Sequence, residues 1–174
     1  MEDNYDLTDL IPKTKKRKNS RKKGNTFENK VAKILNEAFG TKDFCRTPGS
    51  GAFATTHTLP EHLKIHGDLI TPLDFPYVFE CKKGYNAVNV GSLFNYRSDF
   101  WKFIKQAKKD AEWAKKEFAV VFQQDRKNIL VIIDTQIHTT DDYNVLIINK
   151  SRREKYFVYK IEDWLDLVKT IVPS

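Results

Sequence analysis

The order of hydrophobic patterns along the chain predicts an α/β fold, a mixed β-sheet with helices packed against it. Two stretches, Asn25 to Phe39 and Ser98 to Glu117, repeat apolar residues at helical spacing. Six short apolar runs read as strands, and they alternate with the helices along the chain instead of forming a separate block. With 174 residues, 40% of them hydrophobic and 13% aromatic, the chain has enough apolar material for one core without disulfide staples.

The elements follow in order. In the first helix Phe27, Val31, Ile34, Leu35 and Ala38 form one apolar stripe, and Gly40 supplies a stop. The stretch from Phe44 to His66 has little periodicity and carries RTPGSG at Arg46 to Gly51, a turn-forming sequence. Gly67 to Thr71 and Tyr77 to Lys82 read as adjacent strands joined through PLDFP. In the long helix, Phe100, Phe103, Ile104, Ala107, Ala111 and Ala114 mark the buried band, and Lys102, Lys105, Lys108, Lys109, Lys115 and Lys116 supply mainly exposed charge. Ala119 to Gln123 pairs with Ile129 to Asp134 across QDRKN, and Val145 to Ile148 pairs with Tyr156 to Tyr159 around KSRREK. Glu162 to Val168 closes the chain as a short helix with Trp164, Leu165 and Val168 turned inward.

Charge divides the chain unevenly. The formal net charge is +7, but residues 13–23 hold eight Lys or Arg and no acid, whereas residues 24–174 hold 22 basic and 19 acidic groups. Residues 1–23 therefore read as a flexible basic N-terminal arm, and residues 24–174 as the folded domain. In the arm, Lys15, Lys16, Arg17, Lys18, Arg21, Lys22 and Lys23 are candidate phosphate contacts. Contacts of that kind raise affinity for nucleic acid without selecting a sequence, and a solubilising arm or a localisation signal would have the same composition. Two separated cysteines, Cys45 and Cys81, give neither a disulfide framework nor a thiolate zinc site. No run of 18 apolar residues and no secretion signal is present, so an intracellular protein is expected: bacterial or archaeal cytoplasm, or host cytoplasm if viral. There is no GxxxxGK[ST] loop to cradle a nucleotide.

The chemistry concentrates in HGDLITPLDFPYVFECKKG, His66 to Gly84. Side chains alternate along a strand, so Glu80 and Lys82 share one side while Phe79 and Cys81 take the other. With Asp68 nearby, two carboxylates and an ammonium meet at a sheet edge. Acids on an otherwise hydrophobic element are costly unless paired or bound to a cation, and their hard oxygens favour magnesium, with manganese as a substitute, over zinc. Taken singly, each reads better as structure, Asp68 as a turn cap, Glu80 with Lys82 as a solvated edge pair, and Glu28 as a helix-surface charge; only their combination points to chemistry. Arg46 has guanidinium donors for a phosphate or for an active-site carboxylate. Lys83 faces across the strand from Lys82, toward DNA or solvent.

GDLI and ECK, at Gly67 to Ile70 and Glu80 to Lys82, resemble the two halves of the PD-(D/E)XK nuclease motif, with His66 where that motif usually has proline. Glu28 in GNTFE and the RTPGSG segment resemble the entrance helix and Gly-Ser loop of archaeal-type Holliday junction resolvases. The likeness covers about Gly24 to Gln124. It implies a restriction-endonuclease-like fold with a central mixed β-sheet flanked by helices. It further implies catalytic roles for Glu28, Asp68, Glu80 and Lys82, metal ligation by Glu28, Asp68 and Glu80, and supporting roles for Ser50 and Gln106. The resemblance also implies a homodimer that cuts opposing strands of branched DNA, in particular four-way junctions. A broader DNA-processing or restriction nuclease, and a noncatalytic DNA-binding module on the same scaffold, are the alternatives.

Overall fold

The computed structural model describes residues 20–48, 66–85, 88–95, 97–137, 145–149 and 154–172. The elements are α1 (Ser20–Phe39), β1 (Cys45–Arg46), β2 (Leu69–Ile70), β3 (Tyr77–Lys83), a 3-10 turn (Val90–Phe94), α2 (Phe100–Ala114), β4 (Glu117–Gln123), β5 (Leu130–Ile133), β6 (Val145–Asn149), β7 (Glu154–Lys160) and α3 (Ile161–Lys169). The fold class expected from the pattern is the one observed: a mixed sheet between helices, consistent with a restriction-endonuclease-like fold.

The five-stranded sheet runs β3-β4-β5-β7-β6. β3 and β4 are parallel, which requires a crossover, and α2 provides it. The remaining neighbours are antiparallel, including the two predicted hairpins, β4 with β5 and β6 with β7. Strand alternation gives each face its own core. Tyr77, Phe79, Cys81, Ala119, Val121, Val131, Ile133 and Tyr159 pack against α1 and α3, where Trp164 stands edge-on to Tyr77 and Phe79. Val78, Phe118, Val120, Phe122, Ile132, Tyr156 and Val158 pack under α2. Helices on both faces explain why β4 is apolar at nearly every position instead of alternating with polar residues.

α1 begins at Ser20, earlier than the predicted Asn25, so Arg21, Lys22 and Lys23 belong to its first turns and not to the arm. Three basic residues oppose the helix dipole there, and Lys23 compensates by pairing with Asp125 at 2.6 Å. Gly40, at φ +65°, ends the helix as expected. α2 is shorter than predicted at both ends. Lys115 turns left-handed at φ 54°, and the Lys116 amide donates to the Ala111 carbonyl at 3.0 Å, a cap that frees Glu117 to start β4.

The largest correction concerns β2. It is not a neighbour of β3 in one sheet; it pairs antiparallel with β1, a two-residue strand that periodicity could not reveal. Gly49 to Gly51 of the RTPGSG turn lie outside the described residues. Both cysteines are free. No helix among the described residues is long and apolar enough to cross a membrane.

Candidate active site

Among the described residues β3 lies at the edge of the five-stranded sheet, and an edge leaves backbone donors and acceptors without a ladder partner. Asp68 occupies that open side. Its amide donates to the Phe79 carbonyl at 2.8 Å, and its carboxylate Oδ2 accepts the Cys81 amide at 2.8 Å. Its own carbonyl accepts the Thr47 amide at 3.0 Å, which ties β1 to the assembly. The close approach has a sequence requirement. Gly67 sits at φ +76°, and a Cβ there would lie 2.6 Å from both the Phe79 carbonyl oxygen and Val78 Cγ1. The glycine of GDLI is what lets the aspartate reach the strand.

Glu80 and Lys82 point together to the α2 side, as alternation predicts, and form an ion pair. Glu80 is fully buried and the Lys82 side chain is only 18% exposed, so the solvated-edge reading does not hold. The Lys82 ammonium also lies 5.5 Å over the Phe103 ring of α2. Apart from Lys82, neither carboxylate oxygen of Glu80 has a hydrogen-bond partner among the described residues.

Glu28 arrives from α1, on the opposite face of β3. It is buried, and its Oε2 accepts the Arg46 Nε at 2.8 Å. The three acids thus approach the β3 edge from three directions, Asp68 being the one whose charge is felt by both Glu28 and Glu80. Burial raises the Glu80 carboxyl to about 8, with Asp68 adding to the rise and Lys82 opposing it. Burial also raises Asp68, against the Cys81 amide, Lys82 and Arg46. Glu28 is raised by burial and Asp68, against Arg46 and Lys82. Burial pulls the Lys82 ammonium down, but Glu80 and Asp68 outweigh it, so the group stays charged.

These groups fit a hard divalent cation in part. Buried carboxylates held in an unfavourable ionisation state, with only Lys82 as a partner for Glu80 among the described residues, are what a cation would relieve. Among the described residues no three His, Cys, Asp or Glu side chains are grouped to hold a metal; of the three acids expected to ligate one, Glu28 is paired with Arg46 and Glu80 with Lys82.

The other expected residues fall as follows. Of the two partners open to Arg46, a phosphate or a carboxylate, the described residues supply the carboxylate of Glu28, and Lys23, expected as a phosphate contact, pairs with the exposed Asp125. Lys22 is exposed on α1, and Lys83 lies 5.5 Å over the Phe27 ring on the α1 side. Lys15, Lys16, Arg17, Lys18 and Ser50 lie outside the described residues, as does the side chain of Arg21. Gln106 is exposed on α2, between Phe103 and Asp110. Asp110 was missed. It is half-buried on α2, and its charge bears on Asp68 and Glu80. The available signal was its spacing, seven residues after Phe103 on a helix that must cross β3.

An Asp and a Glu-x-Lys converging on the edge of a mixed sheet define the class: a PD-(D/E)XK nuclease scaffold. Residues 19–172 match the family described as "Phage putative PDDEXK endonuclease", and the chain belongs to that family. It is similar to Protein D14 of Escherichia phage T5, with 32% identity over 165 residues, covering 86% of this chain and 98% of that protein. No solved structure matches the chain at a significant level.

Proposed function

We propose that the chain is a divalent-metal-dependent DNA endonuclease acting on branched DNA, with the four-way junction as its preferred substrate. One observation carries the hydrolytic reading: Asp68, Glu80 and Lys82 meet at the open edge of β3, buried and electrostatically coupled. Buried charges that a strand does not need for packing are best explained by chemistry performed there. Junction preference rests on the likeness of Glu28 and of the segment from Arg46 to Gly51 to the resolvases. In that reading two copies form a homodimer that sets two cleavage centres across one junction.

Asp68 and Glu80 would hold the ion, magnesium or manganese in its place. When bound, such an ion supplies Lewis acidity toward the attacking water and a phosphate oxygen. Lys82, kept protonated between Glu80 and Asp68, is set to stabilise negative charge developing on the phosphoryl group. Arg46 keeps Glu28 in place beside Asp68 and limits its freedom before substrate arrives.

The test compares a four-way junction, a linear duplex, a flap and a single strand, each with magnesium and with chelator. The expected result is magnesium-dependent paired cutting of the junction. Equal cutting of all four removes the junction preference and leaves a broader phage DNA-processing nuclease. Junction binding with no metal-dependent cutting of any substrate would make the chain a binding module.

A further inference from the structure

Of the three tryptophans, Trp101 and Trp164 are buried, whereas Trp113 is 59% exposed. Its surroundings are organised. The His66 ring stands edge-on to it at 6.0 Å, and the Lys109 ammonium lies 4.6 Å from its ring centre. His66 is two residues from Asp68, and Asp110, three residues before Trp113 on α2, lies close enough to Asp68 and Lys82 to feel their charges. The indole therefore sits on the rim of the catalytic edge. Helical spacing puts Lys102, Gln106, Lys109 and Trp113 on one line along α2, and all four are exposed.

An exposed indole costs solubility, and neither core packs it. Beside a phosphodiester-cleaving centre on a basic chain, an aromatic face with an adjoining ammonium has the form of a nucleobase platform. Bases stack on such rings regardless of sequence, and the cation meets the neighbouring phosphate.

We propose that Trp113, oriented by His66 and flanked by Lys109, stacks an unpaired DNA base next to the phosphate being cut. The inference takes its substrate from the nuclease reading and adds a requirement: the strand must be unstacked at that point, as at a branch or in a single strand. Gln106 and Lys109 adjoin the backbone on the same helix face.

The placement of the tryptophans supplies the assay. Full-length Glu80→Gln protein, without divalent metal, is titrated with short oligothymidylate and with blunt duplex while indole emission is followed. Oligothymidylate is expected to quench the emission saturably, and Trp113→Phe to remove most of the quench. Trp113→Ala is expected to weaken oligothymidylate binding by about 5- to 100-fold and duplex binding by less. Binding without a quench, or parent affinity for oligothymidylate in Trp113→Ala, overturns the platform. A quench in a protein whose parent cuts no DNA with magnesium keeps the platform and removes the nuclease reading. Cutting by the parent with no quench does the reverse.

Discussion

β3 and β4 lie side by side in parallel, seven residues each, paired from Tyr77 with Glu117 to Lys83 with Gln123. Both are buried through their middles between the same helices. On the α2 face β4 presents Phe118, Val120 and Phe122, whereas β3 presents Val78, Glu80 and Lys82 in register with them. Val120 and Glu80 are equally inaccessible, both at 0%. The sheet is therefore satisfied by an apolar strand at this depth, and β3 departs from that solution at two positions. The departure falls on the edge strand because only an edge can be met from outside by a residue such as Asp68 and approached by a substrate.

Making β3 resemble β4 should have the largest effect. In Glu80→Leu/Lys82→Met, cleavage should be lost, while stability in denaturant unfolding stays level or rises by up to about 4 kcal/mol, because buried ion pairs rarely outperform packed hydrophobes. A double variant that unfolds would mean the pair is structural. The converse change, Val120→Glu, puts an acid in β4 with no ammonium in register and should cost about 3–5 kcal/mol.

The acid on β3 also makes stability depend on pH, as the apolar face of β4 does not. In metal-free protein Glu80 has a folded pKa of about 8 against an ordinary value of 4.5, so the folded state holds the proton more tightly. The stability from that proton is complete below about pH 4.5 and is lost as pH rises through about 8, and the raised Asp68 and Glu28 carboxyls act in the same direction. Melting temperature should therefore fall by several degrees across this window. Glu80→Gln should flatten the slope, and added magnesium should restore stability most at the alkaline end. An identical slope in parent and Glu80→Gln would show that Glu80 is not the titrating group.

A smaller effect is expected on the α1 side. Arg46→Ala leaves Glu28 buried without its charged donor and should cost about 1–3 kcal/mol in denaturant unfolding, with reduced cleavage. Unchanged stability would mean that the pair contributes nothing to holding Glu28. Smallest of all, removing residues 13–19 should leave the melting temperature unchanged and weaken DNA binding mainly at low salt. Binding that is unaltered across salt concentrations would exclude the arm as a phosphate contact.

The helices, the two hairpins and the apolar strands were legible because each has a local period, and Glu80 with Lys82 was legible because side chains two apart on a strand must share a face. β1 was not, since two residues carry no period. The burial of Glu28 was not either, because its charge sits beside the stripe of α1 and only the packing against β3 shows that it turns inward to Arg46.

What the chain's own order determined was the set of elements, the face taken by Glu80 and Lys82, and the Gly67-Asp68 step that permits a backbone to come so close to another. Local sterics and side-chain alternation act within a few residues, so they are written in the sequence. Which charges face each other was decided only by tertiary structure: Asp68 closing the edge of β3, Arg46 pairing with Glu28, and α2 bringing Asp110 near Asp68 and Lys82 and Trp113 against His66. Those outcomes depend on how separate elements pack, and Coulomb energies at a buried edge change with distances and exposure that no local pattern encodes.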